Sequence, residues 1–417
     1  MRLSLNAAGS MNPIATIPDC SEQQQGTMQT MPSAKRRAFV VGCDVKRDIR
    51  VFSGTTYHLA QQGVEDGLLT GMINLFPKGL GAWRTYARAG LWRLSGGFHG
   101  RHGFKFTDGY LNSIWKSAIP AMAGATVINN FQLFGSYFWQ SHRAFGIQPY
   151  FYIDGTLTEY FGHYREFDAA EIDKTAIRDA LALEREGYAS CRKIAVMSKR
   201  TAANIIQHYA VPQHKIHVVP PGANIPEPLL QELDRVAERR CRPGNNNFVV
   251  GFIGLYPERK GLPTIAEAIS LLRSSGYDIR LHVIGKCPPN IAQQGGVTYF
   301  GLIDKSIDIK RFIDIIRSID LGCMLSRAEM AGVALMEFLR LGVPIIATDV
   351  GGIPDIIGLG AGQVVPPEIS PRDLAQYFAQ LMDKPERLTE LKDNAWRRRH
   401  NASWRRVVKE LTTVLDG

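Results

Sequence analysis

No stretch of this 417-residue sequence approaches the roughly 18 consecutive apolar residues that a membrane-crossing helix needs. Residues 1–36 lack the apolar segment of a secretory signal, so a cytosolic protein is expected. Cysteine is scarce. The six residues Cys20, Cys43, Cys191, Cys241, Cys287 and Cys323 never fall at C-x-x-C spacing, which indicates neither a zinc site nor a disulfide framework. They are expected to be reduced thiols, mostly buried. No two aspartates stand at D-x-D spacing, and there is neither zinc-finger spacing nor an RNP-like aromatic strand. Nucleic acid is therefore not an expected partner, despite a net charge of +10.

Hydrophobic residues at 45% and charged residues at 21% describe a soluble globular chain, long enough for two domains. The positive charge is clustered at Lys35-Arg36-Arg37, Arg239-Arg240, Arg397-Arg398-Arg399 and Arg405-Arg406. Solvated helix faces account for such clusters in the plainest reading. An anionic nucleotide ligand, or peripheral contact with the inner face of a membrane, also suits the balance.

Residues 1–36 are rich in Ser, Gln, Met and Pro without helical or strand period, and read as a mobile leader. From Arg37 onward short apolar runs alternate with helical patterns: strands at 37–42, 72–76, 125–128, 149–153 and 193–197, with helices at 55–62 and 171–189. A helical, then basic and Asn-rich stretch at 228–247 marks a boundary near Asn246. Strands follow at 248–253, 280–284, 297–300, 321–325 and 344–348, with helices at 263–274, 309–317 and 333–341. The alternation predicts an α/β protein of two doubly wound Rossmann-like domains facing across a cleft, 37–246 and 247–385. Residues 386–417 read as helices expected to pack back on the first domain.

Ligands of open α/β sheets bind beyond the carboxyl ends of the strands, where helix N-termini offer free N–H groups to anions. The richest such place is Ser326-Arg327-Ala328-Glu329-Met330-Ala331-Gly332-Val333-Ala334-Leu335-Met336-Glu337. A helix starting near Gly332 leaves the N–H groups of Gly332, Val333 and Ala334 for a phosphate. Glu337 then stands roughly 7 Å further along, at about 1.5 Å per residue, placed for a ribose diol. Glu329 faces the other end of the same ligand. A nucleoside-diphosphate sugar fits in that order, although two solvated carboxylates are the plain alternative.

This run resembles the E-x7-E pattern of the retaining family-four glycosyltransferases, of GT-B fold. The resemblance continues through Gly342-Val343-Pro344-Ile345-Ile346-Ala347-Thr348 and Gly351-Gly352-Ile353-Pro354-Asp355. It implies that Glu329 contacts the donor sugar and Glu337 the ribose. The segment Gly254-Leu255-Tyr256-Pro257-Glu258-Arg259-Lys260-Gly261 is similar to the family's basic-pair loop, and Gly254 is expected beside the donor. Fixed cations there stabilise charge building on the leaving phosphate without a metal. The family's commoner Arg after the first glycine is Leu255, leaving Arg259 as its substitute. The absence of D-x-D spacing leaves the metal-bridged donor site of the other large glycosyltransferase architecture unsupported. No cofactor or metal is expected beyond the nucleotide-sugar co-substrate.

The first domain matches more loosely. Ser53-Gly54-Thr55 opens a helix where the family has its glycine-containing loop, which makes Gly54 a donor-contact candidate. Asp154 stands where many members place a functional His, with helix capping as the plainer role. His58 and His163 read as ordinary surface or helix residues. Lys215 to Asn224 matches the strand and turn before the linker and reads as structural, with Gly222 near the cleft. Trp115, Phe131, Phe134, Tyr137 and Trp139 are expected mainly in the core, an acceptor groove being the alternative. The implied activity is transfer of a sugar, with retention, to a glycan, lipid-linked or small-molecule acceptor. A nucleotide-sugar epimerase and a silent nucleotide-sugar-binding protein are the competing readings.

Overall fold

The computed structural model describes residues 38–43, 51–77, 79–95, 103–130, 133–163, 172, 174–230, 247–357 and 361–417. The leader, the clusters Lys35-Arg36-Arg37 and Arg239-Arg240, Cys20, Cys241, Phe131 and the boundary at Asn246 lie outside them.

Two parallel six-stranded sheets organise the chain. The first runs in the order β2 (Gly71–Leu75), β1 (Ala38–Cys43), β3 (Thr126–Asn129), β4 (Gln148–Ile153), β5 (Lys193–Val196) and β6 (Ile216–Val218). Its helices are α1 (Thr55–Glu65), α2 (Gly79–Ser95), α3 (Asp108–Ala118), α4 (Ser136–Ser141), α5 (Leu157–His163), α6 (Lys174–Ser190) and α7 (Lys199–Tyr209). Side chains alternate across each strand, and both faces are apolar, which requires cover on both sides. Phe39, Val41, Ile73, Phe151 and Ile153 pack one face with Trp115 and Phe134, both fully buried. Ala38, Val40, Met72, Ile128 and Tyr152 pack the other.

The second sheet is ordered β12 (Gly362–Val365), β11 (Ile345–Thr348), β10 (Leu321–Met324), β7 (Phe248–Gly254), β8 (Ile279–Gly285) and β9 (Val297–Gly301). Helices α8 (Leu262–Ser274), α9 (Pro289–Ala292), α10 (Lys305–Arg317), α11 (Val333–Arg340) and α12 (Ile353–Ile357) connect them. Strand order reverses between β7 and β10 here and between β1 and β3 in the first sheet. A crevice opens above such a switch point, because the two flanking connections leave in opposite directions.

The chain then continues through α13 (Pro371–Asp383), α14 (Pro385–Arg398) and α15 (Trp404–Asp416). In α15, Trp404, Val407, Val408, Leu411 and Val414 recur at helical spacing and are buried beside Leu59 and Ala60 of α1. The last helix thus covers the first sheet, not the second. The interdomain linker is tied to this helix and to the turn before it: Ala223 N–H donates to the Ala402 carbonyl at 2.8 Å, and Arg406 donates to Pro220 O at 2.6 Å. A Cβ at Gly222 would lie 2.7 Å from the Trp404 ring, so this position admits only glycine without a shift.

Several elements go beyond the sequence reading, among them the first-domain helices α2, α3 and α7, and in the second domain α10 and β12 differ from it. Helix α10 begins four residues before the expected Ile309, capped by Asp304, whose carboxylate accepts the Ser306 N–H at 2.9 Å. Strand β12 is additional, a four-residue strand that among the described residues pairs with β11 at the edge of the sheet. Among the described residues no helix is long and apolar enough to cross a membrane.

Candidate active-site cleft

The loop after β10 and the loop after β7 meet above the second switch point. Arg327 N–H donates to Arg259 O at 2.9 Å and Leu325 N–H to Lys260 O at 3.1 Å, fixing the two loops to each other. Arg259 also donates to the Ala328 carbonyl, and its guanidinium lies 5.1 Å from the Tyr256 ring centroid. The consequence is that both cations reach one carboxylate. Lys260 Nζ lies 3.1 Å and Arg259 Nη1 3.7 Å from Glu329 Oε2, and Ser326 Oγ donates to that oxygen at 3.4 Å. Burial alone would raise the Glu329 carboxyl. Lys260 and Arg259 more than offset this and hold it below its ordinary value.

Gly332 caps α11 with φ 62°, a left-handed conformation that lets the chain turn sharply from the Glu329 loop into the helix. Among the described residues, the backbone N–H groups of Gly332, Val333 and Ala334 donate no hydrogen bond. They form the anion-attracting end of a helix of eight residues. Glu337 lies one turn further, its side chain only 3% exposed and ion-paired with Lys305. Its carboxyl is raised by burial, against the pull of Lys305 and Lys260.

The first domain meets this site through the carboxyl end of β4. A Cβ at Gly155 would lie 2.5 Å from Met330 Sδ, so the glycine allows the loop holding Asp154 to close on the residue after Glu329. Burial, with Glu159 and Glu329 adding repulsion, pushes the Asp154 carboxyl up to about 6. Further contacts bridge the domains: Lys199 N–H donates to Asp355 Oδ2 at 2.6 Å, and Arg200 pairs with Asp349 at 3.0 Å. Gly54 caps α1 with φ 81°, after Ser53 at φ 55°. One turn into α1, His58 faces Lys305; burial and that ammonium lower its pKa to about 3.

Of the residues singled out by sequence, Asp154, Arg259, Lys260, Glu329, Gly332 and Glu337 thus surround one cleft. Gly254 ends β7 beneath the Lys260 side chain, which a Cβ there would meet at 2.7 Å. Sequence reasoning passed over Lys305, which lies in a helix turn it did not assign. It also passed over Glu184, in the middle of a long helix pattern. Glu184 is fully buried in α6, accepts the Leu157 N–H at 2.9 Å and the hydroxyls of Tyr188 and Tyr209, and so braces the segment that follows Asp154. Burial raises its carboxyl to about 7. Among the described residues no group of three or more His, Cys, Asp or Glu is arranged to hold a metal ion.

Residues 238–398 match the family described as glycosyl transferases group 1. Over 233 residues the chain is 24% identical to an MMP α-(1→4)-mannosyltransferase of Mycolicibacterium hassiacum, covering 54% of each protein. The chain therefore spans about half the length of the curated relatives it matches. Among solved structures, sucrose-phosphate synthase from Thermosynechococcus elongatus superposes with a TM-score of 0.64 at 15% identity, over 91% of this chain and 98% of that one. Anabaena Alr3699/HepE in complex with UDP-glucose gives 0.57 at 14% identity, over 91% and 99%. These likenesses establish the two-domain GT-B fold.

Proposed function

We infer that the protein, whose residues 238–398 belong to the glycosyl transferases group 1 family, is a retaining glycosyltransferase that moves a hexose-type sugar from a nucleoside-diphosphate sugar to a glycan, lipid-linked or small-molecule acceptor. One observation carries the reading: the helix end at Gly332, the Arg259–Lys260 pair and the carboxylates of Glu329, Glu337 and Asp154 share one cleft between the two sheets. The diphosphate lies over the N–H groups of Gly332, Val333 and Ala334, the ribose at Glu337 and the sugar at Glu329. As the anomeric carbon–oxygen bond breaks, electrons pass to the leaving phosphate, and Lys260, Arg259 and the helix end stabilise that charge in place of a metal. The acceptor hydroxyl attacks the same face and gives its proton to the leaving phosphate oxygen. Asp154, at the acceptor side, holds or orients that hydroxyl. Closure of the domains excludes water from the activated sugar.

The bound UDP-glucose of the Anabaena structure makes a UDP-sugar the first donor to test. A thermal-shift screen against UDP-, GDP-, ADP- and TDP-sugars identifies the donor, because a tight ligand stabilises the fold by mass action. Product formed only with acceptor present, its anomeric configuration retained by NMR, is the expected result. Donor conversion without acceptor would make the protein an epimerase, and binding without turnover across many acceptors would make it a silent binding protein.

Peripheral membrane contact belongs to the same reading, at the inner face of a cytoplasmic membrane. In α2, Trp83 (74% exposed), Tyr86 (52%) and Leu91 (64%) form an exposed apolar stripe. Arg84 and Arg88 flank it, and residues 79–95 contain no acid. An anionic lipid surface complements that combination. Sedimentation with phosphatidylglycerol vesicles, lost in W83A/L91A and absent with phosphatidylcholine vesicles, is the expected outcome; equal sedimentation of the variant removes α2 from the role.

A further inference from the structure

Lys305 is the first residue of α10, held there by the Asp304 cap. Its ammonium pairs with Glu337 Oε1 and lies 4.5 Å from the centroid of the Phe312 ring, one side of its environment being aromatic and the other acidic. Glu337 Oε2 has no hydrogen-bond partner among the described residues. The charged groups that face this carboxylate are Lys305 from α10 and Lys260 from the loop after β7, and the group from the first domain that faces Lys305 is His58 of α1.

A buried carboxylate binds a diol well only if it is ionised and its acceptor oxygens are held in place. Burial favours the protonated acid, which turns one acceptor into a donor. We propose that Lys305 is a positioning residue for donor binding: by fixing Oε1 it keeps Glu337 charged and leaves Oε2 as the acceptor for a ribose hydroxyl. The inference rests on the donor reading above. His58 gives the arrangement its cross-domain character. Burial and the Lys305 charge keep that imidazole neutral, so it adds no charge that competes with Glu337 for Lys305.

The experiment measures the affinity of UDP-glucose, GDP-mannose, ADP-glucose and TDP-glucose by calorimetry, from about pH 5.5 to about pH 8.5, where none of these diphosphate esters titrates and an unpaired buried carboxyl does. Wild type and Lys305→Arg are expected to bind their donor with the same pH profile, to which Asp154, common to every variant, contributes near pH 6. Lys305→Met is expected to bind about tenfold more weakly at the acid end and to regain part of that loss as pH rises, as the buried acid ionises. Glu337→Gln is expected to bind weakly at every pH, and Lys305→Met/Glu337→Gln no more weakly than Glu337→Gln alone. The double variant removes both charges of the pair and Glu337→Gln leaves only the part-exposed Lys305 ammonium, so the last comparison remains decisive if Lys305→Met fails to fold. A further tenfold loss in the double variant would show Lys305 acting on the ligand directly and overturn the proposal. A donor bound by wild type, with Lys305→Met tracking it at every pH, overturns the proposal alone. If none of the four binds wild type, the proposal falls together with the donor reading.

Discussion

Removing the Lys260 ammonium tests the chemistry of the cleft most directly. Lys260 Nζ lies 3.1 Å from Glu329 Oε2, and both side chains are 13% exposed. At an effective dielectric constant of about 20 the gross attraction at that distance is about 5 kcal/mol, most of it offset by desolvation of the two ions. Breaking a buried pair costs about 3 kcal/mol or more when the remaining charge is left alone. Here Arg259 remains 3.7 Å from the same oxygen, so Lys260→Ala is expected to lower stability by only about 2 kcal/mol. The kinetic effect is larger in kind. Loss of one preorganised charge-stabilising donor lowers kcat by about 100-fold, equivalent to about 2.7 kcal/mol of transition-state stabilisation. Steady-state kinetics with varied donor and saturating acceptor, alongside thermal unfolding, separates the two. A stable variant with kcat down by about two orders of magnitude and little change in donor Kd is the expected result. A fall of less than about threefold in kcat removes Lys260 from the mechanism, and equal losses in kcat and in folded fraction reduce its role to the Glu329 ion pair.

Glu337→Ala is expected to weaken donor binding by about tenfold or more, as loss of hydrogen bonds to a charged buried acceptor does, with kcat at saturating donor little changed; an unchanged donor Kd in calorimetry refutes the ribose assignment. The Asp154 carboxyl titrates near 6 in the folded protein, above its ordinary value, so the folded state holds that proton more tightly than the unfolded chain. Its ionisation therefore favours unfolding as pH rises from about 4 to about 6, and Asp154→Asn should raise Tm at neutral pH, by on the order of 2 kcal/mol in stability, but not at about pH 4. Equal shifts at both pH values would contradict this. Gly222→Ala places a methyl group against the Trp404 ring and backbone and should cost about 1–3 kcal/mol in urea unfolding; a neutral substitution means that α15 yields there. Turnover is expected to survive EDTA, and its full loss would assign a divalent cation to the reaction.

The second half of the site was legible in the sequence because each piece of it is local. Glu329, Gly332 and Glu337 belong to one strand–loop–helix unit, so a turn glycine and a rise of about 1.5 Å per residue suffice to place them. Arg259 and Lys260 sit after the strand that adjoins β10 at the switch point, and the topology rule brings the two loops together. What pattern alone does not reveal is whatever depends on the other domain. Lys305 falls in a helix turn that the hydrophobic period assigns poorly, because a non-helical Asp308 (φ −129°) interrupts it. Glu337, with which it pairs, comes from helix α11, and His58, whose pKa its charge helps to lower, from the other domain. Gly155 and Gly222 read as ordinary turn residues in one dimension. In three, each lacks a side chain because a large one from the facing element, Met330 or Trp404, occupies the space. Gly155 sets how closely the Asp154 loop approaches the Glu329 loop of the other domain, whereas Gly222 sets how closely α15 packs on the linker. The distance across the cleft is thus set in part by a residue that carries no chemistry of its own, so a substitution at Gly155 should act on acceptor and donor steps together, while those at Glu337 act on donor binding alone.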